Sequence, residues 1–189
     1  DFTPTFKDKK ARFANTFIHY ALEAAKEAFD DAQLNIGESM ASRCGVVAGS
    51  GMLTTSYPYF HRFQQNAAPS GALNFAKLEE NAASFYSLQD FGQTFCNTGL
   101  STLVDVFGLK GYCTSVHTAC ASGGQALGLA MQVIRRGDAD VMLAGGFDSM
   151  ISPTGLASFC LLGAMSTYNE TPKTASRPFD ATRNGFVLG

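Results

Sequence analysis

No apolar run in this sequence approaches the roughly 20 residues that a membrane-spanning helix needs. The longest, around Val141-Met142-Leu143-Ala144, is the size of a strand. Positive charge is scarce as well: 14 Lys and Arg stand against 16 Asp and Glu, a formal net charge of −2. Domains that grip nucleic acid usually carry a strong basic excess, so that class is set aside. The cysteines are few and irregularly spaced: Cys44, Cys96, Cys113, Cys120 and Cys160, with no C-x-x-C pair. An odd count without ligand spacing implies neither a disulfide framework nor a zinc site. A reducing cytoplasm is the expected setting. Gly49-Ser50-Gly51 lacks the Gly-Lys-Ser/Thr continuation of a phosphate-binding loop. No internal repeat, low-complexity tract or signal peptide is visible. The sequence opens on Asp1 rather than Met, so the last absence says nothing about a segment ahead of it.

What remains is ordinary globular material. Hydrophobic residues make up 46% and charged residues 16% of 189 positions, enough for one compact domain with a real core. Phe13, Phe17, Tyr20, Ala21, Ala24, Ala25, Ala28, Phe29 and Ala32 recur at spacings of three and four. That pattern predicts an amphipathic helix from about Lys9 to Gln33, with His19, Glu23, Lys26 and Asp30 on its polar side. Cys44-Gly45-Val46-Val47-Ala48-Gly49 is too short for a helix and fits a buried strand. Periodicity is weak from Met52 to Ser87, which reads as loops with short helices. A helix is expected from Leu88 to Gly108.

From Cys113 to Ala119 a strand is expected, then a tight turn of small residues, then a helix from Gln125 to Arg136 ended by Gly137-Asp138. That helix is apolar around most of its circumference and so belongs inside a protein. Val141–Ala144 gives a further buried strand. Alternation of strands and helices argues for an α/β layered architecture. Asp138 and Asp140 read as capping and solvated groups, and Asp180 as the fixer of a local turn.

The sharpest constellation is Thr118-Ala119-Cys120-Ala121-Ser122-Gly123. It places a thiol where a buried strand gives way to the start of a buried helix. Unpaired N–H groups and the positive end of the helix dipole lie there. Both favour the thiolate, which is the reactive form. The same N–H groups can hold an oxyanion developing on a thioester carbonyl. The competing reading is a thiol used only as a small buried hydrophobe. The other four cysteines read as structural. None of the three histidines is expected to serve Cys120 as a base. Three residues upstream in a strand, His117 points to the opposite face; His19 lies on a polar helix face, and His61 in an aromatic loop.

These residues carry a resemblance. Thr118-Ala119-Cys120-Ala121-Ser122-Gly123 resembles the active-site motif of β-ketoacyl-acyl carrier protein synthases. Gly137-Asp138-Ala139-Asp140-Val141-Met142-Leu143-Ala144-Gly145-Gly146 resembles the segment that follows it in that family. Ser176-Arg177-Pro178-Phe179-Asp180 through Arg183-Asn184-Gly185-Phe186-Val187-Leu188-Gly189 is similar to its later signature. The first helix and the Gly49-Ser50-Gly51 turn match too, and likeness is weakest between Leu53 and Phe91.

The resemblance implies a thiolase-like fold of two duplicated α/β/α/β/α halves, with this chain most of the first half and truncated at both ends. It implies a decarboxylative Claisen condensation. A nucleophilic cysteine takes an acyl group from an acyl carrier protein, and a malonyl-carrier protein then loses carbon dioxide and attacks it. It further implies Cys120 as the acylated residue with its own N–H as an oxyanion donor. Met52 and Phe159 would line or close the acyl pocket, and Thr94 would sit at the interface of a homodimer. Plain core or loop packing is the other reading of those three. No resident cofactor is implied, since substrates arrive on phosphopantetheine; no nucleic acid or membrane partner is implied either. The family's catalytic histidines and lysine belong to its second half, so this chain alone is expected not to condense. Within the fold, a thiolase is disfavoured by Arg177-Pro178-Phe179-Asp180, typical of the malonyl-decarboxylating branch. A non-catalytic subunit that sets chain length is disfavoured by Cys120. A bare α/β interaction module is the alternative from another class.

Overall fold

The computed structural model describes residues 3–6, 9–50, 57–85, 87–95 and 97–188, without the side chains of residues 82–85 and 94. The chain divides into two units, Asp1–Asp148 and Ser149–Gly189. In the first, helix α1 runs Thr16–Asp31. It starts there because Asn15 Oδ1 accepts the Ile18 N–H at 3.1 Å, a side-chain cap that satisfies one orphan donor of the first turn. The helix expected from Lys9 therefore splits, leaving a single 3₁₀ turn at Lys9–Ala11. It ends in a Schellman arrangement with a glutamine in the usual glycine position. Gln33 has φ 52°, its N–H reaches Asp30 O, and Leu34 N–H reaches Phe29 O.

After the short helix α2, Glu38–Ala41, comes strand β1, Cys44–Gly49, buried throughout. The stretch expected to be loops with short helices holds two amphipathic helices of three turns, α3 (Tyr57–Ala67) and α4 (Phe75–Phe85), longer than the sequence implied. The helix expected over 88–108 is broken at Phe95, which is extended, into α5 (Leu88–Thr94) and α6 (Thr98–Phe107). Gly108, with φ 66°, closes α6. Strand β2 (Cys113–Val116) is shorter than expected. Helix α7 (Ser122–Arg135) begins three residues earlier than its periodicity indicated, and β3 covers Val141–Gly146.

The three strands form a parallel sheet in the order β2-β1-β3, with Gly49 aligned to Val116 on one side and to Gly146 on the other. Alternation along β1 sorts its side chains to two faces. Cys44, Val46 and Ala48 join Ile18, Leu22, Ala25 and Leu103 in the core under α1 and α6. Val47 meets Ala126 and Ala130 of α7 on the other face. The result is a helix–sheet–helix sandwich. Arg43 ties the starts of β1 and β3 together. Its guanidinium forks onto Asp140, Nη2 to Oδ1 at 2.7 Å and Nε to Oδ2 at 3.1 Å, and also donates to Gly137 O. Asp140 is thus paired rather than merely solvated, and the hydrogen bond from Arg43 holds its carboxyl below the ordinary aspartate range. Both partners are exposed, so the pair aligns more than it stabilises.

Helix α7 is not buried all round as its composition suggested. One face packs on the sheet, but Leu127 is 58% exposed, and Met131 and Ile134 are close to half exposed. A three-stranded sheet can cover only one side of a helix.

In the second unit, α8 (Pro153–Leu161) is capped by Ser152, whose Oγ accepts the Gly155 N–H, with proline at the first helical position. A single bridge pairs Met165 with Phe186. Asp180 Oδ1 accepts both the N–H and the hydroxyl of Thr182, at 2.6 and 2.7 Å. This is the turn-fixing role read from the sequence, and these bonds hold the Asp180 carboxyl below its usual range.

The seating of α7 on the sheet turns on Gly49. A Cβ there would lie 2.7 Å from the backbone carbonyl of Ser122, which cannot move without moving the helix. Gly49→Ala should therefore cost roughly 1–3 kcal/mol through overpacking. Gly128→Ala, in open space within α7, should gain up to about 1 kcal/mol through helix propensity. Opposite shifts of the urea midpoint are expected; equal shifts would contradict this seating.

Candidate active site

Parallel strands deliver the segments that follow them to one end of the sheet, where sites are built in open α/β folds. Here β1, β2 and β3 end together at Gly49, Val116 and Gly146. At that end Cys120 occupies a single 3₁₀ turn, Ala119–Ala121, directly before α7, with its side chain exposed. Close backbone approach makes the arrangement possible. Besides the Gly49 contact, a Cβ on Gly146 would stand only 3.1 Å from Gly123 Cα.

The turn is strained one residue before the thiol. Ala119 has φ 51°, a left-handed conformation that costs a non-glycine residue on the order of 1–3 kcal/mol. Ser122 offsets it. Only 2% exposed, its Oγ donates to Ala119 O at 2.8 Å and accepts the Thr118 N–H at 2.8 Å. Thr118 adds a hydroxyl bond to Gln125 Oε1 at 2.7 Å, clamping the turn to the second turn of α7.

No side chain caps α7. Ala121 stands at its N-cap, and no acidic residue lies in the first turn. Among the described residues the Cys120 N–H has no acceptor. The helix start thus presents N–H donors that no carboxylate or hydroxyl of its own residues neutralises, next to an exposed sulfur. A carbonyl oxygen of a thioester at Cys120 could be received there as it gains negative charge.

The other described cysteines differ. Cys44 is fully buried and Cys113 half-buried, and burial pushes both thiols up. Cys160 is exposed on α8, its thiol 3.9 Å from Met165 Sδ. Cys96 lies outside the described residues.

No histidine is recorded in hydrogen-bond contact with Cys120 among the described residues. His61 stacks on Tyr57 with ring centroids 5.9 Å apart. His19 is half-buried, and its buried Nδ1 finds no partner among the described residues. His117 has Nδ1 3.0 Å from Ser50 O and Nε2 2.9 Å from Ser115 Oγ. Strand β2 has already ended at Val116, so strand alternation does not govern where His117 points. Its engagement with two other groups does.

Of the pocket positions, Met52 lies outside the described residues. Thr94 is the last residue of α5, and its side chain also lies outside the description. Phe159 belongs to α8 in the second unit and packs edge-on against Phe186, centroids 5.0 Å apart. The residues that sequence reasoning passed over are Ser122 and Ser50, both buried. A serine two positions after the thiol, in the first helical turn, was the available signal for the first. Nothing in the sequence marked the Ser50 carbonyl. Among the described residues no group of three or more His, Cys, Asp and Glu side chains is gathered to hold a metal ion.

Comparison with known proteins gives a consistent result. The family model described as beta-ketoacyl synthase, N-terminal domain, matches residues 1–189. The 3-oxoacyl-[acyl-carrier-protein] synthase 2 of Coxiella burnetii is 33% identical over 181 residues, covering 96% of this chain and 41% of the relative. The protein of the same name from Vibrio harveyi is 34% identical over 194 residues, covering 100% of this chain and 42% of the relative. Among solved structures, a type II polyketide acyl-carrier protein in complex with its ketosynthase bound to the hexaketide superposes with a TM-score of 0.74. It is 28% identical, with 92% of this chain and 41% of that chain covered. The chain thus spans about two fifths of the length of the curated relatives it matches. Its layered parallel α/β architecture is that of the thiolase-like ketosynthases.

Iodoacetamide should distinguish the thiols at neutral pH. Cys120 and Cys160 are expected to label in the native chain. Cys113 should label only as the pH rises above the ordinary thiol range of about 8.5, because burial raises it. Cys44 should label only on unfolding. Peptide mapping across pH checks this; native labelling of Cys44 at pH 7 would contradict the packing of β1.

Proposed function

The chain belongs to the β-ketoacyl synthase family, as its N-terminal domain, and on that premise we propose that Cys120 accepts the acyl group in a 3-oxoacyl synthase reaction. The observation that carries this reading is the exposed sulfur at the uncapped start of α7, beside an N–H with no acceptor among the described residues. The thiolate attacks the acyl thioester on a carrier protein. The C–S bond to phosphopantetheine breaks, the new C–S bond to Cys120 forms, and the carrier thiol leaves with a proton. A malonyl thioester then loses carbon dioxide. Its carbanion attacks the acyl-Cys120 carbonyl and expels the Cys120 thiolate, giving a 3-oxoacyl chain two carbons longer. Electrostatic holding of the carbonyl oxygen by main-chain N–H groups serves both steps.

An acyl carrier protein is the substrate-bearing partner in this reading, and the carrier-bound ketosynthase among the structural neighbours supports it. No resident cofactor enters the chemistry, because both acyl groups arrive as thioesters. A second copy is expected to pair near Thr94, where Phe91 and Phe95 are about half exposed. The exposed face of α7 at Leu127, Met131 and Ile134 fits burial under the part of the protein that corresponds to the remaining length of its relatives. An exposed thiol nucleophile suits a reducing compartment such as the cytoplasm.

The decarboxylation half needs acid–base groups that are not gathered at Cys120 among the described residues. None of its histidines is in hydrogen-bond contact with Cys120 among the described residues, and the two rings of His61 and His117 are engaged elsewhere. Given acyl-carrier and malonyl-carrier proteins, the chain alone should form a covalent acyl adduct, seen by intact mass and absent from Cys120→Ala, and no 3-oxoacyl product. An adduct that persists in Cys120→Ala defeats the nucleophile assignment. Product from the chain alone defeats the argument that the machinery is shared with the rest of the protein.

A further inference from the structure

Resting on Cys120 as the acyl acceptor, we propose that His117 is a positioning residue for it: by occupying the Ser50 carbonyl, His117 leaves the one hydroxyl hydrogen of Ser122 to hold the left-handed turn at Ala119. The argument is one of hydrogen counting. Ser122 Oγ has a single hydrogen and two acceptors in reach, Ala119 O at 2.8 Å and Ser50 O at 3.3 Å. It cannot serve both at full strength. Ser50 is buried, as is Ser122, so a bare carbonyl there has no water to turn to.

His117 resolves the competition. Its Nδ1 lies 3.0 Å from Ser50 O, and since a carbonyl only accepts, Nδ1 carries the hydrogen. Nε2 lies 2.9 Å from Ser115 Oγ, which can donate to it and so fixes the ring. With Ser50 O satisfied from above, the Ser122 hydrogen goes to the nearer Ala119 O. Among the described residues no third donor to Ser50 O is recorded. Removal of the imidazole leaves that carbonyl, among the described residues, to Ser122 alone. The hydroxyl is then drawn toward Ser50, the Ala119 carbonyl keeps only the Ser122 N–H, and the strained residue before the thiol loses one of its two restraints. The sulfur and its N–H drift from the helix start. Because both ring nitrogens are engaged, the imidazole is not the base that takes the thiol proton. It acts through Ser122.

The test reads the alkylation rate of Cys120 by iodoacetamide, divided by that of Cys160 in the same molecule as an internal reference. His117→Ala should lower this ratio about three- to tenfold, the worth of one hydrogen bond. His117→Asn, whose side-chain N–H can occupy the Nδ1 position, should stay within about twofold of the parent ratio. In a Ser122→Ala background, His117→Ala should add less than about twofold, because its effect passes through that hydroxyl. Acylation of Cys120 by an acyl-carrier protein should follow the same order. Should His117→Ala match the parent, Asn be as slow as Ala, or the two losses multiply independently, the positioning role is overturned. A parent chain whose Cys120 does not react at all overturns instead the nucleophile reading on which this rests. If Ser122→Ala fails to fold, the Asn and Ala forms of His117 decide alone.

Discussion

Backbone-to-backbone contact between the start of α7 and the ends of β1 and β3 is the constraint on which the candidate site depends. Gly49 faces the Ser122 carbonyl, and Gly146 faces Gly123, at separations that leave no room for a Cβ or only a grudging one. Ordinary helix–sheet packing keeps two layers of side chains between axes. Here those layers are deleted at one end, so α7 descends until its first turn lies against the strand ends. Cys120 is carried to the rim of the sheet by that descent. The sulfur is exposed because the chain must turn over the rim, not because the surroundings are loose: Ser50 and Ser122, its neighbours in the turn, are among the most buried polar residues of the chain.

So tight a passage from strand to helix has to be bent somewhere, and the bend falls on Ala119. Glycine would adopt φ 51° without penalty, but it would also let the turn open. An alanine in that conformation has to be held, and the groups that hold it are the Ser122 N–H and hydroxyl and, behind the hydroxyl, the Ser50 carbonyl and His117. Strain and restraint thus lie on opposite sides of Cys120, one residue before it and two after. The polar groups of this turn fasten the backbone. In the proposed reaction the chemistry falls to the thiol and the main-chain N–H groups.

Much of this was legible in the sequence, for identifiable reasons. The buried run Cys44–Gly49 could be nothing longer than a strand, and the motif around Cys120 placed the thiol between strand and helix. Element ends were less legible. Asn15 overrode the apolar spacing that seemed to start a helix at Lys9, because capping geometry is set by one side chain and not by periodicity. Phe95 interrupted a pattern that reads as continuous to Gly108, and α3 and α4 are amphipathic helices whose periodicity is masked by Pro58, Pro69, Gly71 and the many aromatics around them. The role of His117 was judged from strand alternation that no longer applies beyond Val116. The Ser50 carbonyl was invisible, since main-chain acceptors leave no mark in a sequence and this one lies far from Ser122 along the chain.

The openness of the structure bears on how such a site works. Strands β2 and β3 are both sheet edges with half-exposed residues, and α7 shows apolar side chains on the face turned from the sheet. Isolated exposed apolar residues need no explanation, but Leu127, Met131 and Ile134 recur at spacings of three and four, so they form a stripe on one face of the helix that has Cys120 at its start. Covering that stripe would remove water from around α7 and raise the worth of its N–H groups toward a developing oxyanion. Among the described residues the turn that holds the sulfur is fully hydrogen-bonded at Ser122, while the outer face of α7 is open to solvent. Under the proposed reading, placement of the sulfur is therefore separable from activation of the reaction: the first is held within the turn by Ser122, and the second would depend on what packs on the open side of α7.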